Sequence, residues 1–253
     1  MINHLSENRL INESQHGFRH KKSCLTNLLE YLEYVVNQID AGDPVNVIYL
    51  DFQTAFDKVP HYRLLQKLRV HGITGSINWI ENWLADREQR VVINGICWTF
   101  TAVINGVPQG SILGPLLFII LINDLHEGVV NTSLRFVDDT KIVSKVAGED
   151  QIKILQSDLH KMFNWSQDWQ MLFNTDKSKV MHFGFNNKEA AYSLYIRESE
   201  TCAVEEERDL GVIVDKLLKS SRQCAKAAVA ANAVLGLIRR TFLCKDKEFI
   251  ATV

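Results

Sequence analysis

The chain has 253 residues, of which 46% are hydrophobic and 23% charged, and its formal net charge is −2. This composition predicts a folded protein with a substantial core, excludes a disordered chain and gives no overall basic signal for nucleic acid. The longest apolar run, residues 116–122, is too short to cross a bilayer, and the first residues lack the apolar core of a signal peptide. The five cysteines are scattered without a Cys-x-x-Cys pair, which predicts neither a zinc site nor a disulfide framework. We therefore expect a reducing compartment, the nucleus or the cytoplasm.

A local basic cluster lies in the polar segment at the start of the chain. Gln15-His-Gly-Phe-Arg19 is followed directly by His20, Lys21 and Lys22. Arg19, Lys21 and Lys22 either bind the phosphates of a nucleic acid or belong to a solvated loop, and the sequence leaves both interpretations open.

A helix, a buried strand and two further helices follow. Apolar residues at helical spacing predict a helix over residues 25–39, and the β-branched run 45–50 predicts a buried strand that ends at Asp51. A carboxylate at the end of such a strand is exposed at the sheet edge or held by a cation. Helical patterns then cover residues 61–70 and 76–84. In the second of these helices we expect Trp79 and Trp83 to lie in the buried stripe.

The middle of the chain predicts a hairpin, a loop and an apolar helix. Residues 90–95 and 97–104 form two strands around an Asn-Gly turn, which is a strong hairpin signal. Asn105-Gly-Val-Pro-Gln-Gly-Ser111 then opens into an apolar helix over residues 112–125. A glycine-flanked loop at a helix N-terminus lets the backbone approach a ligand closely, although the same pattern also forms plain turns.

Two adjacent aspartates are the most informative feature of the chain. Asp138 and Asp139 lie between short apolar runs in residues 133–144, a segment that we call the aspartate hairpin. The pattern predicts two strands with the aspartate pair as the turn at an exposed tip. Turns favour Asp, so an ordinary turn is the alternative unless a third carboxylate lies beside the tip.

The last third of the chain alternates helices and strands. A long amphipathic helix follows residues 148–150, a turn covers 174–178 and a strand covers 179–183. Further predicted elements are strands over 192–196 and 209–214 and a helix over 217–242.

This order of elements favours an α+β fold, with an antiparallel sheet and helices on one face. In such a sheet the strand ending at Asp51 can lie beside the aspartate hairpin, so that Asp51, Asp138 and Asp139 converge at one edge. Hard divalent cations such as Mg²⁺ prefer oxygen ligands and bind a few carboxylates together with substrate phosphates. Two such ions support nucleotidyl transfer.

Four segments, in this order, resemble the reverse transcriptase domain of non-LTR (LINE-type, jockey-like) retrotransposons. They are Gln15–Arg19, Leu50-Asp-Phe-Gln-Thr-Ala-Phe-Asp57, Gly106-Val-Pro-Gln-Gly-Ser111 and Phe136-Val-Asp-Asp139. The segment 169–177 and Asp209-Leu-Gly-Val212 are similar to later motifs of that family. The resemblance implies a right-hand polymerase with partial fingers (residues 1–44), a palm (45–215) and the start of a thumb (216–253).

The resemblance also implies roles for individual residues. Asp51, Asp138 and Asp139 are the implied catalytic carboxylates and ligands of Mg²⁺ or Mn²⁺, with Asp139 in a supporting role. The implied partners are an RNA template, a DNA primer and deoxynucleoside triphosphates. Phe56 falls where the family places an aromatic ring under the incoming sugar, and Lys177 is an implied proton donor to pyrophosphate. The implied nucleotide-binding residues are Phe52, Phe56, Gln109, Gly110 and Lys177. Taken singly, Phe56 fits core packing, Gln109 a turn and Lys177 an exposed lysine equally well.

The chain departs from the family in ways that leave a second function open. Residue 137 is Val where these elements usually carry Ala, and the chain starts at a point inside the family's domain. Upstream basic segments that hold the triphosphate are therefore expected to be missing, which would weaken nucleotide binding. The alternative is a truncated remnant that folds as a palm, catalyses nothing and at most binds nucleic acid. A palm-fold nucleotide cyclase is a third option, against which the loop at 106–111 argues.

Overall fold

A computed structural model describes residues 1–184, 187, 193–196 and 198–241. The chain divides into two compact units, Met1–Val204 and Glu205–Val253. The helices of the first unit are α1 (Ile2–Glu7), α2 (Cys24–Asp40), α3 (His61–Val70), α4 (Ile77–Leu84), α5 (Leu113–Leu121) and α6 (Glu149–Asp168), with a 3₁₀ turn at Ala55–Asp57. Its strands are β1 (Val45–Leu50), β2 (Glu88–Gln89), β3 (Val92–Ile93), β4 (Ile96–Cys97), β5 (Thr101–Ala102), β6 (Thr132–Phe136), β7 (Asp139–Lys145), β8 (Lys179–Phe183), β9 (Tyr195–Ile196), β10 (Ser199–Glu200) and β11 (Cys202–Ala203).

A five-stranded sheet with the order β11-β8-β1-β7-β6 forms the centre of the first unit. Its neighbours pair antiparallel, except that β11 runs parallel to β8. β1 lies between β7 and β8, with Leu50 opposite Thr140 in the register. This register places the end of β1 beside the tip of the aspartate hairpin, as the sequence predicts.

Helices cover both faces of this sheet, whereas the sequence predicted helices on one face. Ile48 and Ile142 belong to the main core, which α3, α4, α5 and α6 complete. The other face lies under α2, where the Tyr31 hydroxyl is 2.9 Å from that of Tyr49. Val45 and Val47, which alternate with Ile48 along β1, are also fully buried. A strand whose side chains are buried on both faces of the sheet requires cover on both sides.

Several boundaries differ from the sequence prediction. The apolar helix ends at Leu121 instead of residue 125. In α4 the buried stripe consists of Ile77, Ile80 and Leu84, whereas Trp79 is 60% exposed and stacks on the half-buried Trp83. The wide aromatic rings therefore lie toward the outer side of a helix whose aliphatic residues already fill the core.

The Asn-Gly hairpin, β2 to β5, is confirmed and projects into solvent. Its turn is Asn94-Gly95, and it consists of two short ladders, β3 with β4 and β2 with β5. Every residue from 88 to 102 is exposed, including Ile93, Ile96 and Trp98.

The second unit contains a hairpin and a helix. β12 (Glu206–Asp209) pairs with β13 (Val212–Asp215), so the single strand predicted over 209–214 is wrong. Leu210 and Gly211 both have positive φ and form the turn that interrupts it. α7 (Ser221–Thr241) follows, and Gln223 accepts a hydrogen bond from the Ile213 amide at 3.0 Å. The predicted positions 192 and 242 lie outside the described residues.

No helix in the described part of the chain is long and apolar enough to span a membrane. Cys24, Cys97, Cys202 and Cys224 are exposed free thiols.

Candidate active site

Asp51 lies at the end of β1, beside the turn that carries Lys177. Its carbonyl accepts a hydrogen bond from the Asn174 amide at 2.8 Å, and its carboxylate Oδ2 is 3.1 Å from Lys177 Nζ. The Asn174 carbonyl in turn accepts from Ser178, which closes the 174–178 turn. Two residues predicted to act together, and separated by more than a hundred positions, are therefore in direct contact.

The tip of the aspartate hairpin is displaced by one residue from the predicted turn. Phe136 pairs with Asp139, so the two-residue turn is Val137-Asp138, and Asp139 is the first residue of β7. Val137 is buried with a φ of 60°, a conformation that β-branched residues avoid and that costs on the order of 1–3 kcal/mol. Asp138 is half-buried and Asp139 is exposed, so the expectation of two exposed carboxylates at the tip is corrected for Asp138.

The charge of Asp138 is coupled to Asp51. Burial raises the pKa of the Asp138 carboxyl above its ordinary value, and the negative charge of Asp51 raises it further. The Lys177 ammonium acts in the opposite direction and lowers the same pKa. The structure thus brings Asp51, Asp138 and Lys177 into one electrostatic site at the sheet edge.

The donor set at this site fits a magnesium ion that is shared with substrate. Within the described residues, no three His, Cys, Asp or Glu side chains form a group that could hold a metal ion. Of the three predicted carboxylates, Asp51 and Asp138 act on one another electrostatically, and Asp139 lies exposed at the first position of β7. Mg²⁺ commonly takes one or two carboxylates and fills its remaining positions with water and substrate phosphates. A cation between the two carboxylates would also offset their electrostatic repulsion.

The 105–111 loop packs against the 3₁₀ turn that follows Asp51. Gly106 has a φ of +90°, and a Cβ at this position would lie 2.7 Å from the carbonyl oxygen of Asp57. The Val107 amide donates to the Phe56 carbonyl at 2.8 Å, and Gln109 Nε2 donates to Asp57 Oδ1 at 3.3 Å. Only glycine allows this close approach of the two backbones.

The aromatic residues predicted to bind nucleotide differ in exposure. Phe56 is half-buried and stacks on Phe118, with ring centroids 4.9 Å apart. Phe52 is 3% exposed and stacks on Phe173 at 4.6 Å, beneath the end of β1. Gln109 and Gly110 are exposed in the loop above. Phe56, Gln109 and Gly110 therefore share one neighbourhood, whereas the ring of Phe52 is part of the core.

The basic cluster contributes to a separate cavity of about 580 Å³ near α1. Arg19 forms an ion pair with Glu13 at 2.9 Å, Lys22 lies 3.6 Å from Glu30, and Lys21 is exposed. The cavity has an apolar floor that includes Leu116 and Ile119 from α5. Its basic residues are Arg9, Arg19, His20 and Lys21. Sequence reasoning missed Arg9, because only the tertiary structure brings α1 beside residues 19–21.

Relatives in sequence are polymerases of mobile elements. The chain is 26% identical over 216 residues to the probable RNA-directed DNA polymerase of transposon X-element from Drosophila melanogaster, which covers 83% of this chain and 24% of that protein. It is also 26% identical over 223 residues to the RNA-directed DNA polymerase of mobile element jockey from Drosophila funebris, covering 85% and 24%. The chain thus spans about a quarter of the length of these relatives.

Solved structures of telomerase share the fold. Apo telomerase from Candida tropicalis superimposes with a TM-score of 0.57 at 14% sequence identity, over 86% of this chain and 38% of that one. Telomerase from Candida albicans, in complex with a fragment of telomeric RNA, gives a TM-score of 0.55 at 14% identity, over 85% and 38%. These likenesses confirm the right-hand polymerase fold. Residues 1–221 match the family described as reverse transcriptase (RNA-dependent DNA polymerase), and the chain therefore belongs to that family.

Proposed function

We propose that this reverse transcriptase domain catalyses RNA-directed DNA synthesis, by transfer of a nucleotide from a deoxynucleoside triphosphate to a primer 3′-hydroxyl. The observation that carries the proposal is the meeting of Asp51, Asp138 and Lys177 at one sheet edge. This edge adjoins the segment 52–57, against which the glycine-rich 105–111 loop packs. Two carboxylates and a lysine next to such a loop match the needs of phosphoryl chemistry.

In this proposal Asp51 and Asp138 hold Mg²⁺, or Mn²⁺ in its place, and Asp139 supports them from the first position of β7. Cations held by these carboxylates would favour deprotonation of the primer hydroxyl and would stabilise the charge that develops on the phosphate. Lys177 forms an ion pair with the Asp51 carboxylate, and in the loaded site its ammonium would instead reach the triphosphate and give a proton to the departing pyrophosphate. Its exposure, 68% of the side chain, leaves room for that motion.

The incoming nucleotide is proposed to lie between the 3₁₀ turn and the loop. Phe56 stacks on Phe118 and is half-buried. In this arrangement its ring would clash with a 2′-hydroxyl, while Gln109 and Gly110 would contact the base or sugar. Phe52 contributes through the packing that fixes Asp51, because its ring is buried.

The proposed partners are an RNA template and a DNA primer. Arg19, Lys21 and Lys22 are proposed to contact the phosphate backbone. Arg9, which lines one cavity with Arg19 and Lys21, is proposed to join them. We propose that residues 1–44 belong to the fingers, 45–215 to the palm and 216–253 to the thumb. The exposed free thiols are compatible with a reducing compartment, the nucleus or the cytoplasm.

Primer extension on an RNA template tests the proposal. The purified chain should extend a labelled DNA primer with Mg²⁺ and stop when the cation is chelated. Asp51→Ala and Asp138→Ala should each lower the rate by about 10³-fold, since each removes several kcal/mol of charge stabilisation. Asp168→Ala, which removes an exposed carboxylate at the end of α6, is the matched control and should extend normally.

Two results would contradict the proposal. The first is extension that persists in both active-site variants. The second is a wild-type chain that binds RNA in a salt-sensitive manner but incorporates no nucleotide with Mg²⁺ or Mn²⁺, which would identify the alternative, a catalytically inactive remnant that only binds nucleic acid.

A further inference from the structure

A buried amide from the N-terminal segment binds the backbone of the aspartate turn. Gln15 is 1% exposed, and its Oε1 accepts hydrogen bonds from the Val137 amide at 2.9 Å and from the Gly17 amide at 2.7 Å. Its Nε2 donates to the Val137 carbonyl at 3.3 Å. One side chain thus binds both polar backbone groups of the residue that precedes Asp138.

The turn that Gln15 binds needs such support. Val137 adopts a φ of 60°, which its branched Cβ disfavours, so the conformation persists only where the surroundings impose it. Gly17 leaves no free space on the same side, since a Cβ there would lie 2.4 Å from Val137 Cγ2 and 2.7 Å from the Val137 nitrogen. The segment 15–17 therefore fits closely against the turn.

The backbone around Gln15 is itself anchored to β6. The His16 amide donates to the Arg135 carbonyl at 2.8 Å, and the Arg135 amide donates to the Ser14 carbonyl at 2.9 Å. These bonds make residues 14–16 a short parallel addition to the edge of the sheet. The amide group of Gln15 is thus held at a fixed distance from the turn.

We propose that Gln15 is a positioning residue, which holds the Val137-Asp138 turn so that the Asp138 carboxylate faces Asp51. The proposal rests on the proposed function, because it gives Asp138 its use as a cation ligand. Gln15 also links the basic cluster, which follows it in the sequence, to the position of the aspartate turn.

The chain offers a matched control for Gln15. Asn27 is also a fully buried amide, and its Nδ2 donates to the Arg135 carbonyl at 3.2 Å, two residues before Val137. Gln15→Ala and Asn27→Ala each remove a buried amide that binds the backbone of the aspartate hairpin, but only Gln15 reaches the turn. A merely structural role predicts the same behaviour for both variants.

Amide hydrogen exchange at Val137 is the primary measurement. We expect exchange at least 10-fold faster in Gln15→Ala and within 3-fold of the wild type in Asn27→Ala. Gln15→Glu keeps the acceptor for the Val137 amide, so it should retain most of the protection, and it serves if the alanine variant does not fold. Mn²⁺ affinity, measured by electron paramagnetic resonance of the free ion, should fall about 10-fold in Gln15→Ala and stay unchanged in Asn27→Ala. In primer extension, kcat should fall while KM for the nucleotide is retained.

Equal exchange rates at Val137 in the two alanine variants would overturn the proposal, as would wild-type Mn²⁺ affinity in Gln15→Ala. These readouts do not depend on polymerisation. If the wild type extends no primer but the exchange contrast is present, the polymerase proposal fails and the positioning of the turn by Gln15 is supported.

Discussion

The Asn-Gly hairpin and the aspartate hairpin of the first unit have similar length but different sources of stability. In the Asn-Gly hairpin both central residues of the turn have positive φ, 51° at Asn94 and 81° at Gly95, which these residue types adopt at low cost. The aspartate hairpin places a valine in the same region of conformational space, at the first central position of its turn.

The surroundings of the two hairpins explain how both turns exist. Residues 88–102 are exposed throughout, so the Asn-Gly hairpin depends on its own turn and cross-strand pairs. The aspartate hairpin pairs with β1, carries the buried Leu134 and receives the amide of Gln15. A local sequence preference determines the first turn, whereas contacts distant in sequence determine the second.

Truncation of one apolar side chain in each hairpin should give the largest contrast. Leu134 is 1% exposed and Ile93 is 66% exposed. Leu134→Ala should lower the free energy of unfolding by about 3 kcal/mol, because it leaves a cavity in the core. Ile93→Ala should change it by less than about 0.5 kcal/mol. Urea denaturation of both variants measures the two changes in the free energy of unfolding. Equal changes would contradict the conclusion that the aspartate hairpin depends on buried contacts and the Asn-Gly hairpin does not.

Placing valine in the other turn should have a smaller and more local effect. Asn94→Val puts a β-branched residue at a φ of 51° where no buried amide supports it. We expect a loss of about 1–2 kcal/mol in the local stability of residues 88–102. Amide exchange across that segment should accelerate while exchange at Val137 stays unchanged. Unaltered exchange in both segments would show that the turn residue does not control the exposed hairpin.

A lower pH should destabilise the aspartate hairpin through protonation of His126. We expect this effect to be smaller than those of the two preceding predictions. His126 Nδ1 lies 3.3 Å from Arg135 Nη2. Burial lowers the pKa of His126 and the Arg135 charge lowers it further. As the pH falls below about 6.5, His126 therefore binds a proton more readily in the unfolded state than in the folded state. The stability that is present at neutral pH is lost toward pH 5.5.

Denaturation at pH 7.5, 6.5 and 5.5 tests this effect. His126→Gln should reduce the acid loss by up to about 1 kcal/mol. His20→Gln, at an exposed position, should not reduce it. Part of the loss should remain in His126→Gln, because burial also lowers the pKa of His16. A His126→Gln chain with the pH dependence of the wild type would contradict the assignment.

The sequence predicted the elements best where periodicity and turn chemistry are local. The helix over 61–70, the strand ending before Asp51 and the Asn-Gly turn all agree with the structure. The predicted turn at Asp138-Asp139 was wrong by one residue. Aspartate favours turns, but the pairing of Leu50 with Thr140 extends β7 back to Asp139 and leaves Val137 in the turn.

Part of the candidate site could be predicted, because several of its residues belong to local sequence motifs. The ordered motifs indicated Asp51, Asp138 and Asp139 as the carboxylates of one site with Lys177 beside them, and the fold brings Asp51, Asp138 and Lys177 into one electrostatic site. The different exposure of Asp138, which is half-buried, and Asp139, which is exposed, could not be predicted, since it depends on which face each side chain takes at the strand end. Gln15 carried no local signal for its contact with Val137, because its partner is 122 residues away.

The amino-acid sequence by itself determined the order of helices and strands, the family motifs and the acidic character of the candidate site. These properties follow from residue type and short-range spacing. Only the tertiary structure decided the position of the aspartate turn, the pairing of Asp51 with Lys177 and the burial of Gln15. Each of these depends on strand register and close packing between distant segments, where a buried polar group must find its hydrogen-bond partner.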